Sequence, residues 1–139
     1  MFHQNFVFNN LFKGAIIYLM EKKILIVDDE RPLAKALELK LTHEGIVAKA
    51  VFDGIEAVDI LKSEKFNLIL LDLVMPKKDG FQVLEDIKKM KITTPVIVSS
   101  NLSQEEDIVK AKDLGAVDYF VKSDTTLAEV VELIEGYLT

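Results

Sequence analysis

Asp28 and Asp29 follow the apolar run ILIV, Asp72 follows LILL, Ser100 follows PVIVS, and Lys122 follows VDYFV. If those runs are parallel strands of one sheet, all five polar residues meet at its carboxyl edge, where open α/β folds place their ligands. Three carboxylates, a hydroxyl and an ammonium would then share one pocket. Two unit negative charges about 4 Å apart repel by roughly 4 kcal/mol at an effective dielectric near 20, so the acids need protons or a hard cation. Carboxylate, backbone carbonyl and water form the oxygen set that Mg²⁺ prefers. With Mg²⁺ the carboxylates stay ionised and phosphate oxygens can join them. Lys122 then offers a point charge to the anion, and the Ser100 hydroxyl offers a hydrogen bond. With one carboxylate as nucleophile, the set is equipped for phosphoryl transfer to an aspartate.

The elements that must position these groups are legible from residue 23 onward, where short β-branched runs alternate with amphipathic stretches of helical period. Strands are expected at 23–28, 46–51, 67–72, 95–99 and 117–121, and helices at 32–44, 54–64, 79–90, 103–114 and 125–138. Ile24 to Val27 and Leu68 to Leu71 are apolar throughout, as in strands buried on both faces, whereas IVAKAV is mixed and reads as an edge. Pro32 suits a first helical turn, Gly45 and Gly115 suit C-terminal caps, and Ser103 with Glu106 spells a capping box. Leu127, Val130, Val131, Ile134 and Leu138 form the apolar stripe of the last helix. The expected fold is α/β, a five-stranded parallel sheet of order 2-1-3-4-5 with helices on both faces. In that order the first and third strands are neighbours at the switch point, so Asp28, Asp29 and Asp72 meet.

The 139 residues fit one domain, and half of them are apolar, enough for a core. A net charge of −6 without a basic stripe argues against nucleic acid as a direct partner. The absence of cysteine excludes disulfides and thiolate metal sites. Residues 1–19 stand outside the periodic pattern. Their apolar stretch, Ala15 to Met20, is too short for a membrane span, which takes about 20 residues, and the flanks do not resemble a secretory signal. They read as an upstream extension or a misassigned start, with Met20 standing directly before the first strand, or else as a real appendage whose Phe and Ile residues pack on the domain or on a partner. Residues 20–139 form the domain, and the chain stops with the fifth helix, leaving no stretch for an output domain.

The segments ILIVDDE, LILLDLVMPKKDG, PVIVSSN and GAVDYFVKS together resemble the receiver domain of two-component response regulators, of the single-domain type, over about residues 21–139. The resemblance implies that Asp72 is the phosphoacceptor, with Pro76 and Gly80 following it at the family's spacing. It implies Asp29 as direct Mg²⁺ ligand, Asp28 as a ligand through water, and the Val74 main-chain carbonyl as the backbone ligand. Ser100 matches the switch hydroxyl, Tyr119 the switch aromatic and Lys122 the phosphate-binding lysine, whereas Ser99 falls one position early. The implied partners are a sensor histidine kinase or phosphotransfer protein upstream and a protein target downstream, in the cytoplasm, with the chain a monomer or a phosphorylation-linked homodimer.

Two departures from the family pattern bear on this. Lys122 is followed by Ser123, where most members have a proline joined by a cis bond, so the loop is either trans or holds a non-proline cis bond at a cost of about 2.5–4 kcal/mol. Val74 and Leu102, two residues beyond Asp72 and Ser100, are apolar where faster members carry water-orienting polar groups. That substitution predicts a long-lived aspartyl phosphate. Two other readings stand beside this one: a pseudo-receiver that binds proteins without being phosphorylated, and a phosphatase of the haloacid dehalogenase type. The latter would need a second acid where Val74 stands. Singly, each residue has an ordinary reading, Asp28–Asp29 as a helix cap or Lys122 as a solvated charge, and it is their order and spacing that carry the assignment.

Overall fold

The computed structural model describes residues 22–139. The expectations for residues 1–19 lie outside this range. The described chain runs β1 (Lys23–Val27), α1 (Arg31–His43), β2 (Val47–Val51), α2 (Gly54–Ser63), β3 (Leu68–Leu71), α3 (Gly80–Lys89), β4 (Val96–Ser100), α4 (Glu105–Asp113), β5 (Asp118–Val121) and α5 (Leu127–Leu138), with a short 3₁₀ turn at Lys122–Asp124. The strands form one sheet in the order β2-β1-β3-β4-β5, every pair parallel, as the alternation of runs predicts.

The strands divide their side chains between two cores. Leu25, Val27, Ile69, Leu71 and Val98 point to the side covered by α2, α3 and α4, where Ala57, Leu84 and Ala111 meet them. Ile24, Ile26, Leu68, Leu70 and Ile97 point to the other side, against Leu37 and Leu41 of α1 and Val131 and Ile134 of α5. Burial on both faces matches the apolar content of β1 from Ile24 onward and of β3 throughout, whereas β4 ends in two buried serines, Ser99 and Ser100. β2 alternates instead, with Val47 and Lys49 exposed, and it is an edge. In α5 the stripe is buried at Val130, Val131 and Ile134, while Leu127 is 36% exposed at its start.

Register decides the meeting at the carboxyl edge. Val27 lies beside both Val51 and Leu71, so the residues that follow, Asp28 and Asp72, leave neighbouring strands side by side. Backbone bonds continue the ladder one step further: the Asp72 amide donates to Val27 at 2.9 Å and the Asp28 amide to Val51 at 3.1 Å. On the far side Ser100 pairs with Val121, so β4 runs one residue beyond its expected end and carries Ser100 as its last strand residue.

The helix ends agree with the sequence at Pro32 in the first turn of α1 and at Gly45 and Gly115, both at positive φ after a helix. They differ at α4. The Ser103–Glu106 capping box does not form, because the helix begins at Glu105 with Gln104 as a cap that makes no side-chain bond. The chain just before it is committed elsewhere, the Leu102 backbone being bonded to both Ser100 and Tyr119. The box that does form is Asp79 with Gln82, at the start of α3. It closes the loop that follows Asp72. Gly80 is required there: a Cβ would overlap the Asp72 carbonyl oxygen, and the Gly80 amide donates to the Leu73 carbonyl at 2.9 Å.

Candidate functional site

Lys122 reaches back from the end of β5 to the ends of β1 and β3. Its ammonium donates to Asp28 Oδ2 at 2.9 Å and to Asp72 Oδ2 at 3.3 Å, and Glu30 lies 3.7 Å away. The described residues contain no cis peptide bond, so Lys122–Ser123 is trans and the lysine still reaches both acids. The remaining carboxylate oxygens meet backbone donors. Asp28 Oδ1 accepts from the Glu30 amide at 2.9 Å, and Asp72 Oδ1 from the Val74 amide at 3.3 Å.

Carboxylate oxygens of Asp28, Asp29 and Asp72 lie within 4.8 Å of one another. Asp28 and Asp72 are buried, and Asp29 is exposed at the mouth with Glu30 and Val74. Asp72 keeps only 4% of its surface open, so it lies at the floor of a narrow, acid-rimmed opening. An all-oxygen set with one open side fits a hard divalent cation that retains water, which is Mg²⁺ chemistry rather than that of a thiophilic metal.

The electrostatics agree. Burial pushes the Asp72 carboxyl up to about 6, against the pull of Lys122 and with a further push from Asp28. Burial also raises Asp28, although the Lys122 hydrogen bond opposes it. Burial alone would depress Lys122, yet its bond to Asp28 and the field of Asp72 outweigh that and hold its ammonium above the usual range. One cation facing three acids leaves the pocket under-neutralised, so a second positive charge is favoured there.

Behind the acids, Ser100 is fully buried and its Oγ accepts from the Leu102 amide at 3.1 Å. The Tyr119 hydroxyl donates to the Leu102 carbonyl at 2.6 Å. Both residues singled out as switch elements are thus tied to the two backbone groups of a single residue. Ser99, one position early, faces the opposite side of the sheet, among residues of the α1–α5 core.

Two participants escape sequence reasoning. Glu30 adds a fourth acid near Lys122. Asn101 Oδ1 accepts from the Ser123 amide at 2.9 Å, joining the loop after Ser100 to the loop that carries Lys122. The signal for the second is Ser123 itself, since a proline there has no N–H to give. Asn101→Ala should therefore speed hydrogen exchange at the Ser123 amide, about five-fold for a bond worth roughly 1 kcal/mol. Asn101→Asp keeps the acceptor, and protection should survive. Equal exchange in all three proteins would show that the link is not made in solution.

Comparisons with known proteins bear on this geometry. A family model described as the response regulator receiver domain matches residues 24–135. The fold is similar to the receiver domain of Francisella response regulator 1452, at 29% identity and a TM-score of 0.79 over 85% of this chain and 97% of that one. A receiver domain protein described as CheY-like, from Methanospirillum hungatei, gives 27% and 0.79 over 84% and 93%. The signal receiver domain of a signal transduction histidine kinase from Syntrophus aciditrophicus gives 30% and 0.75 over 84% and 89%.

Proposed function

The chain belongs to the response regulator receiver domain family, and from that premise we propose that it accepts a phosphoryl group on Asp72 from a phosphohistidine donor and signals by changing a protein-binding surface. The observation that carries the proposal is Lys122 bonded to both Asp28 and Asp72, with three carboxylates close enough to share one cation. In the reaction an Asp72 oxygen forms a bond to phosphorus while the P–N bond to the donor imidazole breaks, the electron pair leaving with the imidazole. Asp29 and Asp72 would hold Mg²⁺ directly, Asp28 through water, and the Val74 carbonyl would complete the protein's share. Bound there, the ion supplies positive charge to the transferring phosphoryl oxygens. Lys122 supplies a second charge from the β5 side, and the Asp28 bond keeps its ammonium aimed at Asp72.

A phosphoryl group on Asp72 adds charge and three acceptor oxygens beside Ser100. Drawing the Ser100 hydroxyl toward them competes with its bond from Leu102, and Leu102 is also the anchor of the Tyr119 hydroxyl. The two switch residues are thereby coupled, and the surface formed by α4, β5 and α5 responds. A partner that selects one arrangement of that surface must favour the matching phosphorylation state to the same degree. This reading places the chain in the cytoplasm, between a histidine kinase or phosphotransfer protein and a protein target. Among the described residues no helix is long and apolar enough to cross a membrane.

The test is incubation with Mg²⁺ and a small acyl phosphate, followed by intact mass. Wild type should gain one phosphoryl group and Asp72→Asn none. An unlabelled wild type would make the chain a pseudo-receiver, and turnover of a phosphomonoester abolished by Asp72→Asn would make it a phosphatase. The product should also be long-lived. Val74 is 60% exposed at the mouth and offers no hydrogen bond from its side chain to orient an attacking water. Val74→Asn should shorten the lifetime several-fold, read as the decay of the labelled species after donor removal. An unchanged decay would assign the water barrier to other residues.

A further inference from the structure

A small cavity opens behind the acid pocket, between the start of α1 and the start of α5, with a volume of about 70 Å³. Its walls are mainly apolar, with Phe120 among them and Leu33 and Leu127 at its outer side, 40% and 36% exposed. Its polar members are Asp28, Lys122, Thr125 and Ser99. Three of these are engaged: Asp28 and Lys122 with each other, and the Thr125 hydroxyl with the Val121 carbonyl at 2.8 Å. Ser99 is not. It is 5% exposed, and its hydroxyl makes no hydrogen bond among the described residues. The hydroxyl is not among the sealed, unpartnered polar atoms of the described residues, so it stays open to the cavity and free to bond an occupant.

We propose that this cavity is an effector site for a small neutral amphiphile, a short alkyl chain bearing one hydroxyl or amide, whose polar atom bonds to Ser99. Neutrality follows from the lining, whose only ionisable groups, Asp28 and Lys122, are already bonded to each other and offer no free charge to an ionic head. Size follows from the volume, about half of the roughly 150 Å³ that admits benzene, with the chain leaving between Leu33 and Leu127. Water alone would satisfy Ser99, but most of the wall offers it no second partner. Asp28 and Lys122 border both this cavity and the acid pocket, so an occupant that holds them in one arrangement alters phosphorylation of Asp72. That coupling rests on the phosphoacceptor reading; the binding does not.

The test uses 1-butanol as the probe, at millimolar concentrations, followed by amide chemical shifts and in parallel by acyl-phosphate labelling rates. In wild type the amides of Ser99, Phe120 and Lys122 should shift and saturate, and saturation should change the labelling rate. Ser99→Ala keeps the space and removes the hydroxyl, and should bind about five-fold more weakly. Ser99→Val fills the space and should abolish saturation; should that variant not fold, the graded loss in Ser99→Ala carries the test. Non-saturating shifts in wild type, or equal affinity in wild type and Ser99→Ala, would overturn the site. Saturable binding that leaves labelling unchanged would overturn the effector role. Labelling of wild type without alcohol tests Asp72 separately, so the two failures can be told apart.

Discussion

Asp72→Asn should be more stable than wild type at pH 8 in the presence of a chelator, by on the order of 2–3 kcal/mol, and the advantage should shrink toward zero near pH 4. In the fold the Asp72 carboxyl sits at about 6 because of burial, against about 3.9 in an unfolded chain. Between those values the folded state binds more protons than the unfolded one, so stability falls as pH rises through the window. Above about 6 the full cost of the buried charge is present, and below about 4 both states are protonated and it vanishes. The asparagine side chain carries no charge and escapes the cost at every pH. The side chain is only 5% exposed, so solvent screens little of the effect. Denaturant unfolding at pH 4, 6 and 8 measures it. Mg²⁺ in place of chelator should stabilise wild type at pH 8 and Asp72→Asn much less, because one carboxylate of the cluster is gone. Equal pH profiles for the two proteins would mean that the acid pocket is open and well hydrated.

Lys122→Ala should move stability the other way. Removing the ammonium leaves Asp28 and Asp72 buried and facing one another, and breaking a buried ion pair from one side typically costs about 3–5 kcal/mol. The loss should be largest at neutral pH without metal, partly reversed by Mg²⁺, and smaller toward pH 5, where Asp72 takes up a proton. Labelling by acyl phosphate should slow roughly 10²-fold, the usual effect of deleting one preorganised charge on a transferring group. Lys122→Met, which keeps the apolar stem, separates packing from charge: it should recover little labelling. A Lys122→Met protein that labels at the wild-type rate would show that the ammonium is structural.

Much of this architecture was legible because the two cores impose simple rules on the chain. β1 and β3 are apolar from Ile24 and Leu68 to their ends, so the positions of Asp28 and Asp72 announced the carboxyl edge, and Lys122 follows the half-buried run of β5. The parallel order then brought residues some forty positions apart into one pocket. What could not be read depends on contacts between loops. The Ser103–Glu106 pattern satisfies a local capping rule, but Leu102 is already engaged by Ser100 and Tyr119, and the helix starts later. The direction of Lys122 was open because Ser123 replaces the usual proline; a trans bond and the Asn101 acceptor settle it. The unpartnered Ser99 hydroxyl was invisible for a similar reason, since which side chains leave space around it depends on how α1 and α5 lie on the sheet.

The central claim, that Asp72 is the one acceptor and needs its acidic neighbours to hold Mg²⁺, is tested most directly by locating the phosphoryl group. Wild type labelled with acyl phosphate, trapped by borohydride reduction of the acyl phosphate and mapped by peptide mass, should carry the modification at residue 72 alone. Chelator or Asp29→Asn should suppress it. Modification at another aspartate, or full labelling of residue 72 with Mg²⁺ removed, would contradict the account.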